Sequence, residues 1–203
     1  MKTEVNAEEK IKAAAKNLFT LKGFDAVKTR DIAELAGINL ALVNYYFRSK
    51  EKLFELIMKE NFEHFAEGIF DVIDDPSTSL FQKIENLVNT YIDMLVINPD
   101  MPLFVLNHAK LDSNKNMLKE RFHQSFMLKQ FQEAKSNKVI VQMQPAHFIF
   151  NLLGLVIFPF MGRTVFFSNP SDPEQSKSHF LQLMEERRRM IPLWINAILI
   201  QKL

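Results

Sequence analysis

Residues 29–54 read TRDIAELAGINLALVNYYFRSKEKLF, with apolar residues at the 3–4 spacing of a helix face on both sides of a single glycine. That glycine, Gly37, tolerates the positive φ that a tight turn requires. Ala33 is small enough to let two helices cross closely, and Ile38 and Val43 are placed to be buried between them. The stretch therefore predicts a helix-turn-helix, in which two short helices cross at a steep angle.

Polar residues at the expected helix starts define the bounds of these helices. Thr29 is expected to cap the first helix of the motif, Asn39 the second, and Ser49 a long helix that follows. An upstream helix is expected to end at Gly23, because glycine is common just beyond a helix C-terminus. The residues expected on the inner face of the second motif helix are Leu42, Val43 and Tyr46.

The same residues resemble the N-terminal part of the TetR family of bacterial transcriptional regulators. The resemblance runs over about residues 7–60 and includes the preceding helix with its Gly23-Phe24 ending. It implies a helix-turn-helix DNA-binding domain over residues 5–65. It also implies a helical ligand-binding and dimerisation domain over residues 66–203.

The residue types on the second motif helix suit DNA recognition. In a helix-turn-helix this helix lies in the major groove with its N-terminal residues on base edges. Asparagine can read adenine and alanine can touch a thymine methyl, whereas tyrosine, lysine and helix N-termini can hold phosphates. The predicted DNA contacts are Thr29, Arg30, Asn39, Ala41, Asn44, Tyr45, Tyr46 and Lys50.

Several of these residues also have a structural interpretation. Asn39 can serve as a helix cap, Tyr46 can lie half in the core, and Lys50 can belong to a solvated charged turn. Many relatives carry an aromatic residue where this chain has Asn44, and Leu40 stands where a polar residue is common. The base contact at Asn44 is therefore the least typical of the family.

The remainder of the chain has helical periodicity, so the predicted fold class is all-α. Pro145 suits the first residue of an apolar helix that reaches Phe167, and a last helix from Glu174 contains Pro192, which is expected to kink it. Residues 138–143 could form a strand, but a lone strand would have no partner. The apolar runs 148–160 and 190–200 are shorter than the roughly 18–20 residues that span a bilayer.

The C-terminal helices are expected to form a dimer interface. The apolar stripe on the helix at residues 145–167 is too broad for one neighbouring helix, and exposing it on a monomer would favour aggregation. A symmetric homodimer through residues 145–167 and 174–202 would cover it and would suit a palindromic DNA operator. The resemblance implies the same pairing in a four-helix bundle.

The resemblance also implies a small ligand bound in the C-terminal domain. A pocket rich in Phe and Met would suit a hydrophobic or aromatic ligand, although each candidate could equally be ordinary core. The candidate lining residues are Phe104, His108, Phe122, His123, Phe126, Phe158 and Met161.

The composition argues against an enzyme, a metal site or a bound cofactor. The chain has no cysteine, which excludes a disulfide scaffold, a thiol nucleophile and Cys-ligated zinc. A di-iron helical bundle needs two Glu-x-x-His motifs, and the sequence has one, from Glu120 to His123. The N-terminus lacks the apolar run of a secretory signal, so we expect a cytoplasmic protein without a membrane partner.

Charge leaves one alternative function open. Residues 1–50 contain nine Lys and Arg and six Asp and Glu, a net charge of only +3. Many DNA-binding domains are more basic, so a helical protein-interaction module without specific DNA binding is the alternative. The favoured interpretation is a transcriptional regulator, a repressor that its ligand releases from DNA.

Overall fold

The computed structural model describes residues 2–108, 120–167 and 169–200. Within these ranges the chain forms helices joined by turns, and no residue of them lies in a β-strand. The all-α prediction is confirmed. The chain divides into two compact units, Met1–His64 and Phe65–Leu203.

The first unit contains α1 (Lys2–Lys22), α2 (Thr29–Ala36), α3 (Leu40–Phe47) and the beginning of α4 (Lys50–Asp74). Gly37 ends α2 with φ 64°, and its N–H donates to the last turn of the helix. The N–H of Ile38 also donates to this turn, to the Ala33 carbonyl at 3.0 Å. This left-handed ending is the conformation that glycine adopts without strain. It turns the chain sharply from α2 into α3.

The core of the first unit follows the predicted helix faces. Ala33 is buried where α2 packs on its neighbours, and Val43 and Phe47 are buried one turn apart on α3. The prediction for Leu42 was wrong, since its side chain is 41% exposed. With Val43 and Phe47 at the centre of the buried face, residue 42 falls on its flank, because successive helical residues are 100° apart.

The second unit contains the remainder of α4, α5 (Leu80–Ile97), α6 (Met101–His108), α7 (Phe126–Ser136), α8 (Pro145–Phe166) and α9 (Pro173–Ile200); residues 120–124 are also helical. Ser79 caps α5 by accepting a hydrogen bond from the Gln82 N–H at 3.3 Å. Pro145 is the first residue of α8, as predicted. Residues 138–143 form turns and irregular backbone, so the strand considered there is absent. The Val141 N–H donates instead to the Leu199 carbonyl at 2.7 Å.

Polar side chains fasten the helices of the second unit to one another. Arg188 of α9 donates to the Asp93 carboxylate of α5 at 2.6 Å. Arg163 of α8 donates to Asp100, just before α6, and to the Pro99 carbonyl at 3.1 Å. These bonds hold α8 and α9 against α5 and the turn that follows it.

Helix α8 is longer than the apolar run that predicted it. At 22 residues it is long and apolar enough to cross a bilayer by length and composition. Core helices of soluble proteins meet the same two criteria, so this is weak evidence for a membrane span. The helix bounds agree with the predicted range 145–167, and the statement that the run 148–160 is shorter than a bilayer span concerns only part of this helix.

Candidate nucleic-acid interface

Helix α3 presents one face to the core and the other to solvent. Opposite the buried Val43 and Phe47, the exposed residues recur at the i, i+3, i+4, i+7 spacing of a single stripe. The members of this stripe are Ala41, Asn44, Tyr45 and Arg48. Three of them were predicted as DNA contacts, and they share the one face of α3 that the protein leaves open.

Tyr45 is the most prominent side chain on this stripe. It is 78% exposed, although tyrosine usually buries most of its ring. Its ring meets that of Tyr46 edge-on, with centroids 5.5 Å apart. Tyr46 is half-buried and lies 6.2 Å from the buried ring of Phe47. Tyr45 therefore projects outward from a partly packed aromatic base.

Asn39 caps α3, as expected from its position. Its side-chain Oδ1 accepts the Ala41 N–H at 2.9 Å. Bidentate recognition of adenine needs both the oxygen and the nitrogen of an asparagine amide. While it caps the helix, Asn39 therefore has its amide NH₂ group to offer to DNA, whereas the exposed Asn44 is better placed for a bidentate contact.

The beginning of α2 differs from the sequence-based expectation. Thr29 is the first helical residue and not the cap, which is Lys28. The Lys28 N–H donates to the Asp31 carboxylate at 3.0 Å, so an acidic side chain already occupies this helix N-terminus. Because a carboxylate here competes with a phosphate, the exposed Arg30 is the stronger anion-binding group of the segment.

Lys50 is directed towards its own chain. Its ammonium Nζ donates to the Phe24 carbonyl at 2.9 Å and to the Val27 carbonyl at 3.0 Å. It also lies over the Phe24 ring, 4.1 Å from the centroid. Ser49 precedes α4 and caps it, since its Oγ accepts the Lys52 N–H at 3.2 Å.

Two residues of this surface were not among the predicted contacts. Arg48 lies on the exposed stripe with φ 61° and ψ −41°, and the Ser49 N–H reaches across it to the Phe47 carbonyl at 2.7 Å. This is a classic γ-turn, which is rare and strained for residues other than glycine. Leu42 lies beside the stripe. The seven-residue spacing from Ala41 could have found Arg48, whereas no pattern distinguished Leu42 from a core residue.

The residues predicted to line a ligand pocket belong to several helices of the second unit. The Phe122 and His123 rings contact each other, with centroids 6.3 Å apart. Phe126 lies near the Lys83 ammonium, and Phe158, which is 61% exposed, lies near Phe166. Phe104 and Met161 are half-buried, and the side chain of His108 lies outside the described residues. Each candidate therefore stays a prediction.

An open cleft of about 410 Å³ lies where α8 ends and α9 begins. None of the predicted ligand-binding residues with a described side chain lines it. Its lining residues are Phe166, Phe167, Asn169, Gln175, Ser176 and His179.

The helices of the first unit form a helix-turn-helix, the motif by which many DNA-binding proteins place a helix in the major groove. Residues 11–57 match the family described as "Bacterial regulatory proteins, tetR family". Residues 11–57 thus match a TetR-type DNA-binding domain, as the sequence motifs predicted.

Similarity to known proteins extends over nearly the whole chain. This chain is 25% identical over 209 residues to the "Probable HTH-type transcriptional regulator YttP" of Bacillus subtilis. The alignment covers 96% of this chain and 95% of that relative. A TetR/AcrR-family regulator from Thermobifida fusca superposes with a TM-score of 0.61 at 20% identity, over 91% and 96% of the two chains. A putative transcriptional regulator from Saccharomonospora viridis, solved in complex with choline, superposes with a TM-score of 0.66 at 15% identity. The superposition covers 97% of this chain and 98% of that chain. These two structures support the fold.

Proposed function

We propose that the protein is a repressor that binds a palindromic operator as a homodimer and is released from it by a small ligand. The DNA-binding part of this proposal rests on the exposed stripe on α3, which includes Tyr45. Lys50, predicted as a contact from sequence, donates to carbonyls of its own chain and is proposed to support DNA binding indirectly. Our proposed DNA contacts are the other predicted residues: Thr29, Arg30, Asn39, Ala41, Asn44, Tyr45 and Tyr46. The protein would act in the cytoplasm, where its operator is.

The surface of the second unit supports a homodimer. Helix α8 buries Leu152 and Val156 against its own chain but exposes Phe150 (71%) and Phe158 (61%). On α9, Leu193 and Ile200 are likewise exposed. Large rings in water cost free energy that burial would recover, at about 25 cal/mol for each Å² of apolar surface. A two-fold axis that pairs residues 145–167 and 174–202 with their copies would cover these side chains.

A homodimer also fits the proposed operator. Two recognition helices related by a two-fold axis reach successive major grooves when they lie about 34–36 Å apart. A palindromic site then presents the same base edges to each subunit.

Release by ligand is proposed from the aromatic content of the second unit. Fourteen of the nineteen phenylalanines lie in the second unit, and such side chains suit a small hydrophobic or aromatic ligand. Because α4 is one continuous helix that belongs to both units, a ligand that favours one position of α4 would change DNA affinity. Only a difference in affinity between the two states can shift the equilibrium.

The test is a titration of the purified protein against DNA from upstream of its own gene, at 50 and 200 mM salt. Wild-type binding should weaken steeply with salt, as phosphate contacts require. We expect Tyr45→Ala to lose at least tenfold in affinity without loss of stability, because the side chain is exposed. The matched control is Leu21→Ala, which removes an equally exposed apolar side chain from α1 and should bind as wild type does.

Binding that ignores both Tyr45→Ala and salt would contradict the proposal and favour the protein-interaction module. Choline is a suitable first compound for the release assay, because the Saccharomonospora viridis chain was solved with it. Small aromatic acids and alcohols form the second set. If no compound releases the operator at millimolar concentration, the ligand-released part of the proposal fails while the DNA-binding part stands.

A further inference from the structure

Lys50 is the first residue of α4, and its ammonium is bonded to the segment between α1 and α2. We infer that Lys50 positions the DNA-binding surface by fastening that segment to α4, and that it supports DNA affinity through this role. The inference rests on the proposed DNA binding. It gives Lys50 an indirect role in place of the phosphate contact that its charge suggests.

The contacts of Lys50 leave little of the ammonium for DNA. Two of its three N–H donors are used by the Phe24 and Val27 carbonyls, at 2.9 and 3.0 Å. The Phe24 ring lies beneath the charge at 4.1 Å, and the Phe54 ring contacts Phe24 at 4.6 Å. Lys50 and Phe54 are one turn apart on α4, so both contact Phe24 from the same face of the helix.

The fastened segment leads directly into the DNA-binding surface. Val27 is buried, and its carbonyl immediately precedes Lys28, the cap of α2. Thr29 and Arg30, two proposed phosphate contacts, follow in the first turn of α2. Contacts to phosphates fix the register and orientation of a protein on the duplex. Loosening the segment would therefore misplace these contacts without removing any of them.

A direct phosphate contact and a positioning role differ in their response to salt. Each phosphate neutralised by a lysine contributes about −0.9 to the slope of log K against log salt concentration on B-DNA. If a dimer lost one direct contact per subunit, this slope would become less negative by about 1.8. A dimer with misplaced but intact cations would bind more weakly with nearly the same slope.

The experiment compares the full-length wild type with Lys50→Met, Lys50→Arg and Lys52→Met. Methionine keeps the apolar stem of Lys50 and removes the donors, whereas arginine keeps donors and charge. Lys52→Met is the matched control, since it removes one exposed positive charge from the same helical turn. Two quantities are measured at a temperature where all variants are folded: operator affinity against salt, and amide hydrogen exchange of residues 23–32.

We expect Lys50→Met to weaken operator binding by about tenfold with an unchanged salt slope and to speed exchange in residues 23–32. Lys50→Arg should restore both quantities, and Lys52→Met should leave the exchange as in wild type. If the salt slope of Lys50→Met were less negative by about 1.8 while amide exchange in residues 23–32 stayed unchanged, the inference would be overturned in favour of a phosphate contact. Unchanged affinity would overturn it as well. If the wild type binds no DNA, the proposed function fails, while the exchange measurement still decides whether Lys50 fastens the segment.

Discussion

Arg48 shows how a single backbone conformation shapes the end of the recognition helix. With φ 61° and ψ −41° it turns the chain from α3 into α4 within two residues. A residue other than glycine in such a conformation costs on the order of 1–3 kcal/mol, and strain of this kind is concentrated at functional sites. The strain is consistent with a selected role for the Arg48 side chain on the exposed stripe.

Replacing Arg48 by glycine should relieve this strain. We expect Arg48→Gly to raise the free energy of unfolding by about 1 kcal/mol, the strain relieved being partly offset by the greater freedom of glycine in the unfolded chain. Urea denaturation measures the change. The matched control is Arg48→Ala, which removes the same side chain but keeps a Cβ atom, and it should give no gain. Equal stabilities for the glycine and alanine variants would show that the turn is not strained.

Asn39 and Lys50 show how far single residues can be interpreted from sequence. The cap at Asn39 is a local property, because its partner is two residues away, and it was predicted. The partners of Lys50 lie 23 and 26 residues away, so no spacing in the sequence reveals them. A lysine beside a recognition helix has the chemistry of a phosphate contact. Only the folded structure shows that two of its three N–H donors are already used.

At the level of helices, α8 combines a buried face with an exposed apolar one. Its buried residues recur every fourth position from Phe148 to Phe160, which is a narrow stripe for a helix of this length. Its exposed side carries Phe150, Gly154 and Phe158, again four apart. The sequence pattern indicates an apolar surface too broad for one neighbouring helix, but it does not assign the buried and exposed faces because almost every position is apolar.

Gly154 is expected to mark where the partner subunit comes nearest. A glycine inside a helix costs about 0.5–1 kcal/mol relative to alanine, and a Cβ atom at Gly154 would meet no atom of the described residues within 4 Å. Packing among the described residues of the single chain therefore does not require a glycine at this position. In the proposed dimer, it would let a second helix pack between Phe150 and Phe158.

Accordingly, Gly154→Ala should weaken the dimer at least tenfold even though alanine favours the helix. Sedimentation equilibrium measures the dissociation constant. The control is Gly68→Ala in α4, where a new Cβ would make one ordinary contact, with Thr90 at 4.0 Å. That variant should gain up to about 1 kcal/mol in stability with no change in dimer affinity. A Gly154→Ala dimer as tight as wild type would place the close approach elsewhere.

For the molecule as a whole, alkaline stability should depend on Tyr91. Burial raises the pKa of Tyr91 to about 12, and its ring contacts that of Phe65 edge-on at 4.8 Å. Above pH 10 the unfolded chain loses the tyrosine proton while the folded chain keeps it. The free energy of unfolding should therefore fall between pH 10 and 12, by up to about 3 kcal/mol.

Tyr91→Phe should remove this part of the alkaline decline, because phenylalanine has no proton to lose. Thermal unfolding measured from pH 8 to 11.5 gives the comparison with wild type. Tyr45→Phe is the control, since it removes a hydroxyl from an exposed ring. If Tyr91→Phe and wild type decline in parallel, other groups govern unfolding at high pH.

The fold class and the helix-turn-helix followed from sequence because both rest on local patterns: helical periodicity, caps and one glycine turn. The internal polar bonds of the second unit did not. A lysine in a helix is ordinarily expected at the surface, yet the side chain of Lys83 is fully buried. Its ammonium is held by the carbonyls of Asp75 and Thr78 and by the Thr78 hydroxyl, and burial lowers the pKa of this amine.

Enclosure of Lys83 makes it chemically distinct from the exposed lysines of the chain. Reagents that acylate amines need an accessible, unprotonated nitrogen, and the folded protein offers none at this position. Exposed amines such as Lys52 are open to the same reagent in the native state. Lys83 becomes available only when the turn between α4 and α5 opens, so the rate at which it is labelled would report how often the second unit opens in solution.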